Sequence, residues 1–94
     1  MLFSPPLFDE QMLHHVFNTS KELMKRLGGQ GTISEAETLS INQLPETLLL
    51  CFFNGFLEAK DLLDQAKPLL KGLYPNAYNT LKESQRILRK VKYN

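Results

Sequence analysis

Leu48-Leu49-Leu50-Cys51-Phe52-Phe53-Asn54-Gly55-Phe56-Leu57 is the longest apolar run of the chain, interrupted by Asn54. Ten residues are too few to cross a bilayer, which takes about 20. Read as a helix, the run is hydrophobic on nearly every side, and such a helix has to be covered on every side. Pro45, a residue suited to a first helical position, opens it, and the pattern predicts a helix from Pro45 to about Lys67. Past Leu57 the apolar positions narrow to one face. Ala59, Leu62, Leu63, Ala66 and Leu70 continue the stripe of Leu48 and Phe52, with Glu58, Lys60, Asp61, Asp64 and Gln65 opposite. Pro68 removes a helical hydrogen bond and predicts a kink or break near Lys67.

Outward from this segment the pattern stays helical. Over Leu7 to Leu27, Met12, Leu13, Val16, Phe17, Ser20, Leu23, Met24 and Leu27 share one face, and polar residues fill the rest. Glu22 and Arg26 stand at i,i+4 in the favourable order for an ion pair. Gly28 is the expected left-handed residue at the end of this helix. Ser34-Glu35-Ala36-Glu37 fits a capping box and predicts a short helix from Glu35 to Ile41, anchored by Leu39. A last helix is expected over Asn76 to Lys92. Ala77, Thr80, Leu81, Ser84, Ile87, Leu88 and Val91 lie on one side of it. Tyr78, Lys82, Arg86, Arg89, Lys90, Lys92 and Tyr93 lie on the other. No stretch alternates with period two, and Val and Ile are scarce, so no strand is predicted. The fold class is all-α: a small antiparallel helical bundle of three long helices plus one short helix, with residues 1–94 as a single domain.

Charge divides the chain. Residues 65–94 carry seven Lys and Arg against Glu83, a net of +6, whereas residues 1–64 carry four bases against nine acids, a net of −5. A molecule with two unlike faces is a statement about partners rather than about fold. The whole-chain pI near 7.9 is low for a dedicated nucleic-acid binder. The only cysteine, Cys51, lies in the apolar run, where a thiol behaves as a small hydrophobe, and a reducing, cytoplasmic setting is expected. The N-terminal Met1-Leu2-Phe3-Ser4-Pro5-Pro6 lacks the basic and apolar regions of a signal peptide.

No catalytic constellation is legible. His14 and His15 project about 100° apart on one helix, whereas paired metal ligands need a spacing of three or four. Neither a metal nor a cofactor is expected. Glu58, Asp61 and Asp64 form a carboxylate row without the Glu-x-x-His motif of di-iron bundles. Gly28-Gly29-Gln30-Gly31-Thr32 lacks the Gly-Lys-Ser/Thr ending of a phosphate loop.

Two surfaces remain. Leu49, Leu50, Phe53 and Leu57 point away from the main stripe of their helix. Either the short helix covers them or they form an interface, to a partner helix or in a homodimer. Lys82, Arg86, Arg89 and Lys90 would orient the chain toward an acidic partner. The function expected from both is a small non-enzymatic protein–protein interaction module: an adaptor, an inhibitor or a small subunit of an assembly. The alternative is a nucleic-acid-binding protein whose cations neutralise phosphates while Tyr78 and Tyr93 stack on bases.

Overall fold

The computed structural model describes residues 10–91. It is an all-α small helical bundle of four helices: α1 (Glu10–Lys25), α2 (Thr38–Phe53), α3 (Glu58–Leu70) and α4 (Pro75–Lys90). A wide turn, Arg26–Gln30, follows α1, and one 3₁₀ turn, Glu35–Glu37, leads into α2. The expectations placed on Leu7, Lys92 and Tyr93 lie outside the described residues.

The division of the middle of the chain differs from the sequence expectation. Glu35–Ile41 and Pro45–Lys67 are not a short helix followed by a long one. The 3₁₀ turn runs directly into α2, which passes through Pro45 without ending. Proline removes one hydrogen bond, to the carbonyl four residues back, but here its ring is fully buried and helps fill the core. The real interruption is Asn54-Gly55. Gly55 adopts φ +104°, a left-handed conformation open to glycine at little cost, and the Asn54 side-chain amide donates to the Leu50 carbonyl at 2.8 Å. Pro68 sits in the last turn of α3 and is exposed, so its break falls three residues later than Lys67, after Leu70.

The core runs through all four helices. Leu13, Phe17, Leu23 and Met24 of α1 meet Ile41, Leu44, Leu48, Cys51 and Phe52 of α2. Ala59, Leu62, Leu63, Ala66 and Leu70 of α3 and Ala77, Leu81 and Leu88 of α4 close it. α2 packs against each of the other three helices. Small residues at Ala59, Ala66 and Ala77, all completely buried, permit close approach of helix backbones. The buried hydroxyls Ser20 and Ser84 donate to the carbonyls four residues back, Val16 at 3.0 Å and Thr80 at 2.9 Å, and so carry no unmet polar group into the core.

Three expected core positions are exposed, among them Ile87 of α4 at 39%. Leu39, taken as the anchor of the short helix, is 66% exposed, and Ile41 takes its place at 0%. Met12 is 48% exposed. The helix-ending glycine is Gly29, at φ +100°, rather than Gly28. Arg26 pairs with Glu37 rather than with Glu22, because the wide turn brings the 3₁₀ segment back against the end of α1. The capping box forms as expected: the backbone N–H and the hydroxyl of Ser34 both donate to Glu37 Oε1 at 3.0 Å.

Candidate functional site

Turning the chain at Asn54-Gly55 splits the apolar run into two groups of unequal fate. Leu48, Cys51 and Phe52 are buried; Leu49 packs against the core at its edge. Phe56, just past the turn, folds back onto α1. There it meets His14 and Phe17 edge-to-face at centroid distances of 4.9 and 4.8 Å. Leu50 is half-buried beside Gln43, Glu46 and Thr47. Phe53 and Leu57 are left outward, 53% and 65% exposed, and Phe53 leans edge-on against Phe52 at 5.5 Å. The four apolar positions singled out from sequence thus divide, with Leu49 and Leu50 partly covered and Phe53 and Leu57 open.

The basic face is more complete than the sequence suggested. Lys82, Arg86, Arg89 and Lys90 are all exposed on α4. Three of them, Lys82, Arg86 and Arg89, stand at i, i+4 and i+7 and so form one stripe. α4 returns antiparallel to α3, its Gln85 amide donating to Asp64 at 2.7 Å, and Lys67 of α3 enters the same groove. Asn79 and Gln85 add neutral polar groups, and the concavity measures about 320 Å³. Glu83 is bound to Arg86 at 2.6 Å. Lys82 Nζ lies 5.2 Å from the centroid of Tyr78, whose ring packs against the core. In the sequence Lys67 marks the expected break of the long helix and is one of the cations of residues 65–94. Nothing local marks it as a neighbour of α4, because that depends on where α3 ends and how α4 returns.

Antiparallel pairing also places the C-terminal end of α4, with Arg89 and Lys90, at the end of the bundle where α3 begins. Phe53 and Leu57 flank that beginning. Apolar and cationic groups therefore share one pole.

Elsewhere the chemistry is sparse. Cys51 is buried, and burial pushes its thiol pKa up, away from the reactive thiolate. His14 and His15 are both exposed. Among the described residues no three His, Cys, Asp or Glu side chains group as metal ligands. A groove of about 260 Å³ between α1 and α2 has an apolar floor at Val16, Leu23 and Leu44 and walls at His15, Thr19 and Gln43. Among the described residues no helix is long and apolar enough to cross a membrane.

Fold and surface together define a small four-helix protein with an open apolar pair and a cationic groove. The chain belongs to the family described as Domain of unknown function (DUF5929), whose pattern it matches over residues 1–94. Comparison with curated proteins and with solved structures finds no match to it.

Proposed function

We propose that this chain is a non-enzymatic protein–protein interaction module, an adaptor, inhibitor or small subunit, that docks through the pole bearing Phe53 and Leu57. The observation that carries this reading is that two large exposed side chains, 53% and 65%, bracket the single turn between α2 and α3, whereas the other strongly exposed leucines, Leu39 and Leu73, stand at the start of α2 and after the end of α3. An aromatic anchor next to charges is the usual make-up of an interface centre and its rim. Affinity comes from covering Phe53 and Leu57; Arg89 and Lys90 steer and orient. Cys51, buried with a raised pKa, suits a reducing cytoplasm, where a thiol needs no partner.

The nucleic-acid reading draws on the same cations but has less support. Base stacking needs an open aromatic face, and the Tyr78 ring is spent against the core and under Lys82.

The test is paired. Light scattering of the purified protein reads self-association, and capture from the native host with immobilised full-length chain reads other partners. Phe53→Asp should abolish whichever association the wild type shows while leaving its helical circular dichroism intact. A wild type that is monomeric, with a captured set unaltered by Phe53→Asp and Leu57→Asp, defeats the reading.

A further inference from the structure

We infer that the groove between α3 and α4 receives an acidic helix of a partner protein, its carboxylates spaced at i, i+4 and i+7 to meet Lys82, Arg86 and Arg89. This rests on the interaction-module reading and names the partner's chemistry.

The spacing argument is geometric. At 1.5 Å per residue, Lys82, Arg86 and Arg89 stand about 6 and 10 Å along the α4 axis. A second helix lying alongside presents side chains at the same intervals when its acids repeat every turn. Lys67 supplies a cation from the opposite wall, so the charge is held by two helices and not by one solvated face. Gathering like charges does nothing for the fold; they repel one another and focus a positive potential into the concavity. Among the described residues neither Lys67 nor Arg89 makes an ion pair. Their charge is available to a ligand.

Two carboxylates decide which anion fits. Glu83 lines the groove on Arg86, and Asp64 of α3 accepts from the amide of Gln85, which lines it too. A nucleic-acid strand carries a negative charge on every nucleotide and would bring phosphates against both. A helix that offers one carboxylate per turn steps over them. The concavity, about 320 Å³, is lined by Lys67, Lys82, Arg86 and Arg89 with Asn79 and Gln85, all groups that can donate to carboxylates.

Fluorescence anisotropy with the full chain tests this with three labelled probes. One is an Ala-based helical peptide with Glu at i, i+4 and i+7, the second has the same three Glu in adjacent positions, and the third is a single-stranded oligonucleotide of equal charge. The spaced peptide should bind at least about three-fold tighter than either of the others. Arg89→Gln and Lys67→Gln should each weaken it about three-fold, and added salt should weaken it further. Equal binding of the adjacent-Glu peptide, tighter binding of the oligonucleotide, indifference to Lys67→Gln, or no binding of the spaced peptide overturns the inference. So does a dimer in light scattering that dissociates in salt, which gives the groove to a second copy. If the spaced peptide fails while Phe53→Asp still abolishes capture, only the acidic-helix inference falls and the module reading stands.

Discussion

Arg26 and Glu37 are joined at 2.6 Å, and this ion pair ties the end of α1 to the capping box that starts the next segment. Glu37 thereby serves three donors: the Arg26 guanidinium, the Ser34 backbone N–H and the Ser34 hydroxyl. All three favour the ionised form, and the carboxyl pKa falls to about 2, with the Arg26 hydrogen bond as the largest cause. The Arg26 pKa rises for the same reason.

A carboxylate whose pKa drops on folding contributes stability above its unfolded value, and that contribution is lost as pH falls through the folded value. For Glu37 the window runs from its ordinary 4.5 down to about 2. Thermal unfolding followed by circular dichroism from pH 7 to pH 2 should show wild type and Glu37→Gln converging as pH falls through that window. Wild type should be the more stable at the upper end. Both side chains are partly exposed, so raising the salt should narrow the gap. A gap that is constant with pH would mean the ion pair adds nothing.

The turn between these segments gives a second prediction. Gly29 sits at φ +100°, where an L side chain is strained, whereas Gly28 does not and has open space where a Cβ would stand. Gly29→Ala should cost about 1 kcal/mol in urea unfolding. Gly28→Ala should be neutral or slightly stabilising, because alanine narrows the unfolded ensemble. Equal effects at the two positions would contradict the assignment of the left-handed residue.

What the sequence made legible, and what it did not, follows from the range of the interactions. Amphipathic stripes of α1 and α4 are local, period-3.6 patterns, and Leu13, Phe17, Leu23, Leu81 and Leu88 were readable from them. The capping box is local too. Asn54-Gly55 is a strong turn signal, but it lies inside a run so apolar that its continuity predicts one helix starting at Pro45 and running to about Lys67. A proline whose ring is wholly enclosed is decided by tertiary packing, which local propensity cannot foresee. The basic stripe of α4 was visible as a helical face. Its completion by Lys67 was not, because that depends on the antiparallel pairing of two helices.

Leu39 and Ile41 stand two residues apart on opposite sides of α2, 66% and 0% exposed. Ile41→Ala should destabilise by about 2–5 kcal/mol, the range for truncating an enclosed aliphatic side chain. Leu39→Ala should stay within about 0.5 kcal/mol of wild type. Urea midpoints at unchanged m-value measure both. A larger loss at Leu39 would restore it as the anchor of its segment.

Glu83 offers the sharpest test of the cationic groove, because it is bound to one of the groove's own cations. Its carboxylate holds Arg86 at 2.6 Å, with both side chains more than half exposed, so the pair adds little to the fold. Glu83→Gln removes a negative charge from the groove and releases the guanidinium, while the amide keeps the size of the side chain. Stability in urea should therefore remain within about 0.5 kcal/mol of wild type. Affinity for the spaced acidic peptide should rise about three-fold, with a steeper dependence on salt, since one more protein cation is free to meet a carboxylate. Arg86→Gln removes the same ion pair from the other side and should weaken the peptide instead. Opposite signs from the two variants require that Arg86 faces the ligand; equal signs would show that the ion pair matters only for the shape of α4.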